Sequence, residues 1–201
     1  HCFDAICTLN EEFASDSFDG LWKFLVPHLV DDLIDAMHVC ECLISLVKST
    51  TTDLVPYVDQ ILGNEPLLPF MIPIANEIFK KGQINDIDHW FTRIFNVLIT
   101  GEADDCDCFE ALTTLITRND ADEAYYENLL RYFNDYVINS LDYPLICTGF
   151  KQVIRLQSMK GNIDMNELMK KAADFIKESP YNNEFIISLL ESIVLMIEQL
   201  S

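Results

Sequence analysis

The stretch DIDHWFTRIFNVLITG, residues 86–101, decides how the chain is read. Its apolar residues Ile87, Trp90, Phe91, Ile94, Phe95 and Leu98 recur at spacings of three and four. On an α-helix they make one stripe that needs a partner surface. Gly101 follows the run, where a left-handed C-terminal cap places glycine. The pattern repeats outward. In 121–141 the stripe is Tyr126, Leu129, Leu130, Phe133, Tyr136, Val137 and Leu141; in 164–178 it is Met165, Leu168, Met169, Ala172 and Ile176. Nothing alternates with period two for long enough to make a strand. The spacing predicts helices over 2–14, 18–27, 28–49, 53–62, 66–81, 86–100, 105–118, 121–141, 144–159, 164–178 and 182–200, with Pro27 as either a break or a kink. Thr52 or Asp53, Asp164 (with Glu167 three residues on) and Asn182 are suited to cap the helices they precede.

Gly63, Gly82 and Gly101 stand 19 residues apart, the length of a four-turn helix plus a turn. Ten or eleven helices in 201 residues is one pair per about 40, the period of HEAT and armadillo units. Two aliphatics followed by proline recur at Leu25-Val26-Pro27, Leu54-Val55-Pro56, Leu67-Leu68-Pro69 and Met71-Ile72-Pro73. The expected fold is therefore all-α: a HEAT-like helical-repeat solenoid of about five antiparallel pairs in a single domain over 1–201, with a compact multi-helix bundle as the alternative. Residues 185–200 are apolar nearly all round. As the end of an array they would expose apolar surface, so this helix is expected either inside a bundle or covered by chain beyond Ser201.

With 33 acidic and 13 basic residues the net charge is −20, which argues against gripping nucleic acid through its phosphates. The longest clean apolar run, 66–75, is too short to cross a bilayer. Seven cysteines at irregular spacings read as reduced, partly buried thiols. His38, Cys40 and Cys42, with Cys106 and Cys108, have the letters of a zinc site. Residues two apart on a helix point about 200° away from each other, so Cys40 and Cys42 cannot both be ligands. No family signature surrounds any thiol–histidine pair, and no glycine loop can cradle a phosphate. No catalytic, metal or cofactor site is assigned, and no enzyme activity is expected. Trp22 and Trp90 read as core.

Residues 1–120 hold 21 acids and 6 bases; residues 121–201 hold 12 and 7. The excess gathers at Asp31, Asp32 and Asp35, and again at Glu102, Asp104, Asp105 and Asp107. These seven are the candidate partner-binding residues, an acidic surface for a basic protein or peptide. Asp104 and Asp105 also precede a helix, where acids complement its dipole. The segments 21–27 (LWKFLVP) and 97–105 (VLITGEADD), with the paired helices and the acidity, resemble the importin-beta (karyopherin) superfamily of nuclear transport receptors. That resemblance implies a HEAT solenoid segment, interior or C-terminal in a longer chain, that binds basic cargo and Phe-Gly repeat proteins in the cytoplasm and nucleus. The alternative function is a general scaffold or adaptor with an apolar interface. With only Arg93, Arg118, Arg131 and Arg155, no Asp–Arg ladder between repeats is expected.

Overall fold

The computed structural model describes residues 11–30, 33–62, 68–81, 84, 86–119, 121–160, 164–179 and 182–200. Among them every regular element is helical, so the all-α class is the class observed. The helices are α1 (Glu11–Leu25), α2 (Leu33–Ser49), α3 (Val55–Leu62), α4 (Leu68–Lys81), α5 (Ile87–Thr100), α6 (Asp105–Arg118), α7 (Glu123–Tyr132), α8 (Tyr143–Lys160), α9 (Met165–Glu178) and α10 (Asn183–Leu200). Contacts divide the chain into two compact units, His1–Asn119 and Asp120–Ser201.

In the first unit, α2, α4 and α6 pack in series, and each also packs against the helix before it. Hydrogen bonds give the directions. Lys81 Nζ, at the end of α4, donates to Lys48 O and Thr50 O at the end of α2, both at 2.6 Å. Ile84 N donates to Asn119 Oδ1 at the end of α6, 2.7 Å away. These three helices therefore run parallel. Ser15, early in α1, accepts from Thr51 N at 2.9 Å, just past the end of α2, so α1 and α2 are antiparallel. The inner helices start at Leu33, Leu68 and Asp105, 35 and 37 residues apart. The bonds just named span 31 to 36 residues, one repeat each. This is the stacking expected of helical pairs in a repeat. Buried Phe18 and Trp22 and half-buried Tyr57 pack ring against ring with centroids 4.9 to 5.6 Å apart. Trp22 and Trp90 are buried, as expected of core residues.

Three boundaries differ from expectation. Residues 1–10 lie outside the described residues, and α1 runs unbroken through Ser15-Asp16-Ser17 where a gap between two helices was expected. Ala14, Phe18, Trp22 and Leu25 keep a buried stripe at spacings of four and three, which outweighs the polar triplet. Next, Val26–Val30 is a 3₁₀ stretch holding Pro27, so the helix expected from residue 28 starts at Leu33. Finally, the helix expected over 121–141 ends at Tyr132. A π-helical turn, Phe133–Val137, comes next, with Ile138 N bonded to Phe133 O at 3.1 Å. Gly101 caps α5 at φ 68°, in the left-handed region; Gly63 and Gly82 lie outside the described residues.

The π turn depends on Gly149 of α8. A Cβ built there would sit 2.6 Å from Val137 Cγ1 and 3.0 Å from the Phe133 ring. Around this contact, rings run through the second unit from Phe133 to Phe150, Phe175, Phe185 and Tyr143, with successive centroids 4.5 to 6.2 Å apart. They join the π turn to α8, α9 and α10. Gly149→Ala overpacks this site at about 1–3 kcal/mol, more than the gain in helix propensity returns. Gly20 lies mid-helix in α1 with nothing within 4 Å of an added Cβ. Gly20→Ala is expected to raise stability by about 0.5–1 kcal/mol. Thermal denaturation of the two variants should therefore move the midpoint in opposite directions.

Candidate functional site

Of the seven acidic candidates, Asp31 and Asp32 lie outside the described residues, and Asp35 falls in the first turn of α2. The other four gather where α5 turns into α6. Gly101 reverses the chain, and its N–H and that of Glu102 both donate to Val97 O, at 3.1 and 3.3 Å. Glu102 and Asp104 are exposed; Asp105 and Asp107 are half-buried in the first turn of α6.

Asp104 has a structural task. It is the N-cap of α6, and its Oδ1 accepts from Asp107 N at 3.0 Å. Such caps recur along the chain. Asp53, Asp86, Asp122, Asp142, Asp164 and Asn182 accept from backbone N–H groups at the starts of α3, α5, α7, α8, α9 and α10. Each such cap contributes about 0.5–2 kcal/mol, so part of the acidity holds the fold rather than a partner. Of Thr52 and Asp53, the two candidates for α3, Asp53 makes the cap, and the caps expected at Asp164 and Asn182 are among these too.

Asp107 is different. Partial burial, and then the neighbouring carboxylates of Asp104 and Glu110, raise its pKa above the ordinary value. Its influence reaches α2. The Cys40 thiol is pushed up to about 11 by burial first, and then by Asp107 and Glu41. Cys40 Sγ donates to Phe70 O of α4 at 3.2 Å. The α2 and α6 acids thus act on a common neighbourhood, to which Glu41, exposed and not among the candidates, belongs.

Further along the inner helices the charge is balanced. Lys80 of α4 lies 2.8 Å from Glu77 and 3.3 Å from Glu110 of α6; Lys48 of α2 lies 4.0 Å from Glu77. Asn76 Nδ2 donates to Glu110 at 3.0 Å. Burial alone would lower the Lys80 pKa, but Glu77 and Glu110 together outweigh it and hold it above the usual lysine value. Lysine and glutamate thus form the cross-repeat ladder that the scarce arginines do not. Glu77 and Glu110 were missed in the sequence; their signal is their separation of 33 residues, close to one repeat.

The zinc-like letters do not assemble. Cys42 is buried, Cys40 half-buried and His38 exposed on α2. Among the described residues no three of His, Cys, Asp and Glu converge to hold a metal ion. Burial first, and then Asp105, Asp107 and Asp104, push the Cys108 thiol up to about 12. Cys40 and Cys108 are therefore held protonated, the opposite of what a nucleophile requires. Among the described residues no helix is long and apolar enough to cross a membrane. No family model, curated protein or solved structure matches this chain.

The raised pKa of Asp107 fixes the sign of its effect on stability. The folded state holds this proton more tightly than the unfolded chain does. Ionisation therefore costs the folded state, and the cost is fully present once pH exceeds the folded pKa. Asp107→Asn is expected to raise the urea midpoint at pH 7, with the gain disappearing as pH falls through the carboxylate range. Urea titrations of both proteins at pH 7 and at acid pH measure the difference.

Proposed function

We propose that this chain is a non-enzymatic helical-repeat binding module whose first unit receives a Lys/Arg-rich protein segment. The observation that carries the reading is the crowding of Asp107 with Asp104 and Glu110 at the α6 terminus, with Glu41 of α2 acting on the same neighbourhood. Among the described residues none of Glu41, Glu102, Asp104 and Asp107 is held in an ion pair. Glu77 pairs with Lys80 at 2.8 Å, and Glu110, about one turn on from Asp107, reaches the same lysine at 3.3 Å, which leaves the acids ahead of it without a cation of their own. Burial is the larger reason the Asp107 pKa is raised, and a cation arriving at this end would relieve the smaller part that comes from Asp104 and Glu110.

The resemblance to importin-type receptors gives this reading its fullest form: a segment of a nuclear import receptor that holds basic cargo and works between cytoplasm and nucleus. Stacked helical pairs and an acidic face support it as physical prerequisites. The thiols of half-buried Cys40 and buried Cys108, pushed up by burial first and then by neighbouring acids, support the non-enzymatic part.

A fluorescently labelled peptide alternating Lys with Gly and Ser provides the test. It should bind at low salt and lose affinity steeply between about 50 and 300 mM salt, because exposed charges are screened over about a Debye length. The triple variant D104N/D105N/D107N keeps a competent N-cap, since Asn caps as well as Asp, and should weaken binding about tenfold. Absence of binding at low salt, or affinity indifferent to the triple variant, would overturn the reading.

A further inference from the structure

We infer that the outer face of α10 is a docking surface for an amphipathic helix of another protein, with aliphatic residues at its contact positions and Lys or Arg along one flank. The surface belongs to the second unit and does not rest on the acidic edge of the first.

One side of α10 is built into its unit. Phe185, Leu189, Ser192 and Met196 are buried, the helix packs on α8 and α9, and Ser192 Oγ donates to Ser188 O at 3.0 Å. The opposite side is open and apolar. Ile187, Leu190, Val194 and Ile197 are 56%, 48%, 53% and 52% exposed. Their spacings of three, four and three are those of the a and d positions of a heptad. On the helix they lie within an arc of about 80°, a continuous seam rather than scattered apolar residues.

The charge beside the seam selects the occupant. Glu184, Glu191 and Glu198 are seven residues apart and all exposed. With Ile187 at a and Leu190 at d, each of the three occupies an e position, so they form an acidic row along one edge of the seam. The helix contains no Lys or Arg. Glu198 stands in the last turn, where a negative charge opposes the helix dipole at about 0.3–1 kcal/mol, so helix stability does not account for it. A partner helix with Lys or Arg facing the row satisfies both features of the surface.

A second copy of this chain does not. Paired antiparallel, two such seams bring e against e, acidic row against acidic row. Paired in parallel, e faces g, and the g positions are Ile186 and Ile193, so carboxylates would be desolvated against isoleucine. Two chains of −20 also repel one another.

The probe is an acetylated peptide of about three heptads with Leu at a and d and Lys at e and g, whose own charge repulsion keeps it from pairing with itself. Its counterpart carries Glu at e and g. By fluorescence anisotropy with the full chain at low salt, the Lys peptide should bind about tenfold or more tightly than the Glu peptide. E184K/E191K/E198K should reverse that preference. I187S/V194S, on an exposed face and so compatible with folding (checked by circular dichroism), should abolish binding of both. Every comparison is made in the D104N/D105N/D107N background, which removes the acidic edge of the first unit as a second site for the Lys peptide, so that failure here and failure of the first-unit reading are told apart. Three results would overturn the inference: no binding by either peptide, equal binding that charge reversal does not alter, or a dimer in sedimentation that I187S/V194S dissociates.

Discussion

The packing of α4 against α6 is the constraint on which the first unit depends. From Cys108 to Ile116 every residue of α6 except Glu110 is buried, a level of enclosure that needs neighbours on more than one side. Helix α4 supplies one wall and α5 another. Threonine is tolerated there because it bonds within its own helix: Thr113 Oγ1 donates to Phe109 O at 2.9 Å. Glu110 is the exception because it sits where α6 meets Asn76 and Lys80 of α4. Register and charge are thus decided together. Slipping α4 along α6 would part Glu110 from Lys80 and Asn76 and at the same time open the enclosed face of α6.

The second unit is held differently. Its rings meet edge to face along Phe133, Phe150, Phe175 and Phe185, and the close approach at Gly149 lets the π turn into that stack. A π turn inserts one residue into a helix and rotates the residues after it. Here Phe133 and Val137 come out buried, while Tyr136 and Leu141, placed by a plain 3.6-residue count in the same stripe, come out exposed. The insertion is tolerated because α8 presents no side chain at the point of contact.

What could be read from the amino acids divides along the same physical line. Local chemistry was legible: the left-handed glycine at 101 and the caps at Asp53, Asp164 and Asn182 each concern groups within a turn of one another. The period of the helical pairs was legible too, because it depends only on helix length plus loop length. The π turn was not, since the residue that permits it lies on the next helix. The gap expected inside α1 fails for a similar reason: Ser15-Asp16-Ser17 looks like a loop only until the buried stripe on both sides of it is counted. At the candidate site, the run of acids was visible but its division was not. Asp104 as a cap is implied by its position before a helix, whereas the neutralisation of Glu110 by Lys80 depends on the register of two helices 30 residues apart.

That division separates acids that serve the fold from acids that work against it. A capping aspartate contributes to stability, and its presence needs no partner. Asp107 and Glu198 do the reverse. The first is crowded by burial and like charge, and the second opposes the dipole of its helix. Side chains that a fold carries at a cost are the ones most simply explained by a task outside it. Both stand on helix faces next to other acids, and in both places a bound cation would lower the cost. The recognition of basic side chains proposed above therefore need not draw on the whole charge of −20. As proposed, it would draw on a small subset of carboxylates, Asp104 and Asp107 at the start of α6 and the glutamate row along α10.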